Sequence, residues 1–324
     1  MFLMDYEQGA GWNNARIVPY ADCALDPAAM VLHYGQAIFE GTKCYRRADG
    51  CLQLFRPQDN LARMTRSAER MGMPALDEET ALEGLEQLVR IEEAWVPHLD
   101  GTSLYIRPTM ISMDVGLGVH ASRKYLFYII LSPVGAYYKE GLKPVSIYVE
   151  DAYVRAVRGG VGFTKCAGNY AASILAGDIA EKKGFSQVLW LDGVEQKYVE
   201  EVGSMNMMFA YGNRIVTPRL NGSILPGITR DSVLKLARSM GYEAEEARLD
   251  INEIFADAKS GRLTEAFGTG TAAVISPVGT LAMKDEKITV GDGGIGKVAQ
   301  SLYDTLTGIQ YGRLEDTFGW IVKL

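Results

Sequence analysis

One lysine stands apart from every other charge around it. Between Arg158 and Asp178 the only charged residue is Lys165, set in GGVGFTKCAGNY among glycines and small or apolar side chains. A lysine in such surroundings gives up its proton more readily, and the neutral amine can attack a carbonyl, so Lys165 is a candidate Schiff-base nucleophile. The competing reading is a lysine whose stem packs while its head reaches water. Arg107 is isolated in the same way, the only charge between Asp100 and Asp114. On a strand it could clamp a substrate carboxylate with two hydrogen bonds, or form a structural ion pair. Glu200 and Glu201 precede an uncharged stretch from Val202 to Asn213. Neighbours on a strand point to opposite faces, so one can be buried and functional while the other is solvated. Periodicity does not choose between them.

Three segments have the make-up of a phosphate cradle. LPGITRDSV sets a glycine turn before a helix, so the amides of Ile228 and Thr229 could face an anion with help from the helix dipole. FGTGTAA offers hydroxyls at Thr269 and Thr271 beside glycines. A capped helix and an ordinary turn would look the same. The third segment, GDGGIGKV at 291–298, satisfies GxGxxG, nearly satisfies the Walker pattern, and carries a rival reading as a nucleotide-binding protein. Against it, Val298 stands where Ser or Thr should hold magnesium. Only 28 residues follow Gly296, too few for the rest of a mononucleotide-binding unit, so a flexible loop before the last helix is expected there.

The elements that must position these residues read as α/β. A hairpin joins AIFEGTKCYRR to CLQLFR through Ala48, Asp49 and Gly50. Two helices follow, one with Leu61, Met64, Ala68 and Met71 in register, the other with Leu82, Leu85, Val89 and Val96. The strands SLYIRPTMIS and YLFYIILSPV close this half, and GAYYKEGLKP at 135–144 reads as a connection between a domain over 1–134 and one over 145–324. In the second half, Ala171, Ile174, Leu175 and Ile179 line one helix face, which ends at Gly184. SQVLWLD, YVEEVGSMNMMFA and RIVTP are strands, a helix spans about Thr229 to Met240, and Asp250 with Glu253 looks like a capping box. LTEAFGTGTAAVISPVG is strand-like, and a helix around Val298 to Ile309 completes the chain.

Composition fits a folded globule: 324 residues, 48% hydrophobic, 23% charged, net charge −7. With no long basic stripe, nucleic-acid binding is not expected. The most apolar run, Leu126 to Leu131, is far shorter than the roughly 18 residues a membrane span requires. Asp5 and Glu7 lie where a secretory signal would be positive, so export is not expected. Four cysteines without a CxxC pair read as reduced thiols of a cytoplasmic protein, and three scattered histidines give no metal site.

Taken together, GGVGFTKCAGNY, VLWLDG, EEVGSMN, LPGITRDS and FGTGTAAVISPVG closely resemble branched-chain amino acid aminotransferases, fold-type IV enzymes that use pyridoxal phosphate. LDPAAMVLHYGQAIFEGTKCYR, FRPQDNLARMTRSAERMGMP and YIRPT extend the resemblance over essentially the whole chain, in order. It implies a smaller N-terminal α/β domain and a larger C-terminal pseudo-barrel domain. Lys165 would carry the cofactor as an internal aldimine, Tyr170 would bond its phenolic oxygen, and Glu201, not Glu200, would face the pyridine nitrogen. Arg63, the amides of Ile228 and Thr229, and Thr271 would hold the phosphate. Tyr105 and Arg107, with the backbone at Thr271 and Ala272, would contact substrate carboxylates, while Tyr34, Phe39 and Tyr137 would line an apolar pocket. Leu117 and Val119 would reach the neighbouring subunit's site, making a homodimer or higher oligomer. The implied reaction moves the amino group of leucine, isoleucine or valine to 2-oxoglutarate in ping-pong fashion. Within fold-type IV the alternatives are a D-amino acid aminotransferase or an aminodeoxychorismate lyase, against which YIRPT and the long N-terminal half argue.

Overall fold

The computed structural model describes residues 1–135 and 142–324. In chain order it has β1 (Phe2–Glu7), β2 (Gly11–Ile17), α1 (Met30–Tyr34), β3 (Ala37–Phe39), β4 (Thr42–Arg46), β5 (Leu52–Phe55), α2 (Pro57–Arg70), α3 (Glu78–Ile91), β6 (Ser103–Ser112) and β7 (Lys124–Val134). Next come β8 (Val145–Val149), α4 (Ala167–Ala171), α5 (Ile174–Lys182), β9 (Gln187–Leu191), β10 (Val199–Val202), β11 (Met205–Tyr211) and β12 (Arg214–Pro218). The remainder is α6 (Ile228–Ser239), β13 (Glu243–Ala247), α7 (Ile251–Ser260), β14 (Glu265–Gly270), β15 (Val274–Met283), β16 (Glu286–Thr289), α8 (Lys297–Gln310) and β17 (Ile321–Lys323). Among the described residues no helix is long and apolar enough to cross a membrane.

The chain divides into two compact units: Met1–Ala136 with Thr164–Gly168 and Ile309–Leu324, and Tyr137–Phe163 with Asn169–Gly308. Two segments beyond a boundary at 135–144 therefore belong with the first unit. The piece around Lys165 joins it through single hydrogen bonds and a bridge between Ile38 and Cys166. The tail joins it as β17, paired with β5. Both attachments are too short to leave a periodic trace in the sequence. Most of the expected connection, 136–141, lies outside the described residues.

In the first unit the strands run in the order β17-β5-β4-β6-β7-β1-β2, with β3 also on β6, and every pairing is antiparallel. The buried face of α2 carries Leu61, Met64 and Ala68 at the spacing its sequence predicts. Asp77 caps α3 by accepting the amide of Thr80. Gly84 lets α3 press on β1, since a Cβ there would lie 2.3 Å from the Phe2 ring. Strands β1, β2 and β17 have no clear sign in the sequence; FLMDYE buries three residues in succession instead of alternating.

The second unit is a closed pseudo-barrel. Its strands run β10-β9-β8-β15-β14-β11, and β11 pairs back onto β10. One face packs Ile147, Leu189, Val202, Met207 and Phe209 against Ile254 and Phe255 of α7. Three sequence expectations need correction here. The stretch YVEEVGSMNMMFA is two strands, because Gly203 takes a positive φ of 55° and turns the chain. On α5 the buried residues are Ala176 and Ala180, whereas Ile174 and Leu175 are exposed. Asp250 caps α7 through the amide of Asn252, one residue short of a capping box.

The nucleotide-binding reading of 291–298 also fails. The carboxylate of Glu265 accepts the amides of Val298 and Ala299 at 2.9 and 2.8 Å, and so caps α8 from within the chain. A Cβ on Gly296 would lie 1.8 Å from that carboxyl carbon, so this glycine makes room for the cap and not for a phosphate. We predict that Glu265→Ala lowers unfolding free energy by about 1–2 kcal/mol, the usual worth of a half-buried cap, as read from urea melts.

Candidate active site

In the first unit Lys165 is held by its backbone. Its carbonyl accepts the Phe39 amide at 3.0 Å, and its own amide donates to Ser67 Oγ of α2 at 3.1 Å. The Nζ lies 4.9 Å from the centroid of the Phe39 ring. The residue after Phe39 is a functional candidate absent from the sequence expectations, although its isolation from other charges could have revealed it. Glu40, at 0% exposure, takes Nε and Nη2 of Arg63 at 2.7 and 2.9 Å. Two charges this far from water are tolerable because the pairing is bidentate.

Arg107 and Tyr105 share one face of β6. Arg107 Nη2 donates to the Tyr105 hydroxyl at 3.1 Å, and its guanidinium lies 4.7 Å from the Phe39 ring centroid. Arg107 Nε is buried without a hydrogen-bond partner among the described residues. Gly41 admits the Tyr105 hydroxyl, since a Cβ there would sit 2.0 Å from it. Tyr34 donates its hydroxyl to the Leu117 carbonyl, and Leu117 and Val119 are exposed. Tyr137 lies outside the described residues.

Lys43 stands opposite Tyr105 in the β4–β6 register, and burial pushes its ammonium down to about 8 from 10.5. Below pH 8 both folded and unfolded states carry the proton, and folding bears the cost of partly desolvating that charge. Between pH 8 and 10.5 only the unfolded state holds it, so stability rises with pH across that window. We predict that Lys43→Met removes this rise, measured by urea melts at pH 7 and 10.

The second unit holds Glu201. Its Oε1 accepts the Leu225 amide at 2.6 Å, and Oε2 lies 3.2 Å from Arg155 Nε in an ion pair without hydrogen-bond geometry. Arg155 also donates to the Gly162 and Ser223 carbonyls, so it ties the β8–α4 and β12–α6 connections to that carboxylate. Contrary to expectation, Glu200 is as buried as Glu201, each 3% exposed. Its Oε1 is occupied by the Asn221 amide and the Ser223 hydroxyl, which serve the opposite face of β10.

Helix α6 begins after Gly227 with no side-chain cap, and Ile228 and Thr229 at its start are buried. Thr271 and the exposed Ala272 form the turn between β14 and β15, followed by Val274 at φ 63°. That angle is strained for a β-branched residue, and such strain gathers at functional turns. Tyr170 is half-buried on α4, and its carbonyl accepts the amide and hydroxyl of Ser173. Among the described residues no group of His, Cys, Asp and Glu could hold a metal.

Residues 37–281 match the family model for amino-transferase class IV. The chain is 57% identical to branched-chain-amino-acid transaminase 1 of Bacillus subtilis, over 100% of this chain and 91% of that protein. This chain belongs to the branched-chain aminotransferases of class IV. Solved aminotransferases agree with it in fold. The Escherichia coli branched-chain amino acid aminotransferase superposes with a TM-score of 0.81 at 29% identity, covering 98% of both chains. The T.th. branched-chain amino acid aminotransferase with pyridoxamine 5'-phosphate gives 0.79 at 27% identity, covering 98% of this chain and 97% of that one.

Pyridoxal phosphate is the cofactor of this aminotransferase class. The second unit of the aminotransferase fits it. The start of α6, where Gly227 gives no side-chain cap, suits a phosphate, Glu201 supplies a buried carboxylate, and the buried Thr269 hydroxyl has no partner among the described residues.

Proposed function

We propose that this aminotransferase reversibly transfers the amino group of L-leucine, L-isoleucine and L-valine to 2-oxoglutarate, giving branched-chain 2-keto acids and L-glutamate. The observation that carries this reading is the 57% identity to the Bacillus subtilis transaminase over the whole chain. When bound, pyridoxal phosphate supplies an aldehyde and a ring that stabilises negative charge on the substrate's α-carbon. Lys165 would anchor it, and its amine would move the substrate's α-proton as general base. Glu201 presents its carboxylate to the ring nitrogen, with Arg155 balancing the charge. Tyr170 donates to the phenolic oxygen. The amides of Ile228 and Thr229, Thr271 and Arg63 hold the phosphate, Arg63 sharing its charge with Glu40.

Substrate carboxylates meet Tyr105, Arg107, Thr271 and Ala272. Tyr34 and Phe39 form the apolar walls, and Leu117 and Val119 serve a partner copy in a homodimer, or higher oligomer, of the cytoplasm. One pocket must accept both leucine and glutamate, and Arg107, whose Nε has no partner among the described residues, is the group for the distal carboxylate of glutamate. The test is amino-group transfer by the cofactor-loaded enzyme. L-Leucine, L-isoleucine and L-valine should each yield glutamate from 2-oxoglutarate; turnover of D-leucine alone would overturn the reading. Arg107→Ala should slow the glutamate half-reaction about 100-fold while sparing leucine, as expected for a lost charge-assisted pair. Equal loss of both would refute the distal-carboxylate role.

A further inference from the structure

Asn206 of β11 is the direct cross-strand partner of Glu201 on β10 and of Thr269 on β14. Such partners share a face, so the three form one buried polar row. Leu225 is gripped by two members of the row. Its amide donates to Glu201 Oε1 at 2.6 Å, and its carbonyl accepts Asn206 Nδ2 at 2.9 Å. The other end of the same side chain abuts Gly227, where a Cβ would lie 2.0 Å from Asn206 Oδ1. Gly227 is the residue from which α6 starts. Asn206 thus touches both ends of the Leu225–Pro226–Gly227 turn that leads into the amides of Ile228 and Thr229.

We propose that Asn206 is a positioning residue that fixes the start of α6 with respect to Glu201, so that carboxylate and phosphate cradle are spaced as one unit. The inference rests on the cofactor roles proposed for Glu201, Ile228 and Thr229. Without Nδ2 the Leu225 carbonyl loses its buried partner, and without Oδ1 the approach of Gly227 is unrestrained. A displacement well under 1 Å is enough to spoil amides aimed at a phosphate. The loss falls on the phosphate end of a ligand and spares the ring.

The experiment compares two probes, pyridoxal phosphate and pyridoxal, titrated into apoenzyme by absorbance and intrinsic fluorescence. Wild-type protein should bind the phosphorylated probe far more tightly; equal binding would sink the phosphate-cradle assignment itself and not the role of Asn206. In Asn206→Leu, which keeps the branched shape but removes both hydrogen-bonding groups, pyridoxal phosphate should bind at least tenfold more weakly, with pyridoxal changed less than about threefold. Gly227→Ala pushes on Asn206 from the other side without altering it, and should give the same split. Near-UV circular dichroism of the apo forms checks that both variants fold. A parallel loss for the two probes, or unchanged affinity for the phosphorylated one in the folded variants, would overturn the proposal.

Discussion

Replacing Lys165 with alanine is expected to remove both the fixed chromophore and turnover. The wild-type enzyme, reduced with borohydride, should carry the cofactor on the peptide containing Lys165, and the variant should carry none. Transamination of L-leucine should fall by about 10⁴-fold or more, because the proposed anchor and general base vanish together. The fold should survive, because what holds this segment is backbone: the Lys165 carbonyl to Phe39 and the Lys165 amide to Ser67. Unchanged denaturation of the apo variant would separate this outcome from misfolding. A variant that still turns over at more than a hundredth of the wild-type rate would remove Lys165 from its role.

Glu40→Ala should have the largest effect on stability. It leaves the Arg63 guanidinium buried without its carboxylate, at a cost of about 3–5 kcal/mol in an apo urea melt. The double variant Glu40→Ala, Arg63→Leu should regain much of that, since two apolar residues require no solvation. If the single and double variants lose equally, packing and not charge is what the pair contributes. Cofactor affinity should fall in both, because neither presents Arg63 as the native pair does.

Charge isolation made Lys165 and Arg107 legible in the sequence, and the same test applies to Glu40, the only charged residue between Asp26 and Lys43. Arg155 could not be found this way, because Glu150, Asp151 and Arg158 lie close by and give it the look of a solvated segment. Asn206 carries no charge and no motif; its meaning comes only from the β10–β11 register. Helices α2, α3, α6 and α8 were readable because their apolar residues recur at helical spacing over ten or more residues. Strand β17, three residues long, and the bonds that draw Lys165 to the first unit depend on partners far off in the chain, which local pattern does not encode. The two glutamates show the limit of alternation: it assigns opposite faces, but both faces of β10 are buried.

The placement of β17 sets a condition on synthesis. During translation β4, β5 and β6 can pair long before residues 321–323 leave the ribosome, so the outer edge of β5 waits as an open row of amides and carbonyls. Polysomes bring many such edges close together, and edge-to-edge pairing between nascent chains competes with the native tail. Arrival of β17 closes that window, so protection of the β5 edge from aggregation depends on residues 321–323.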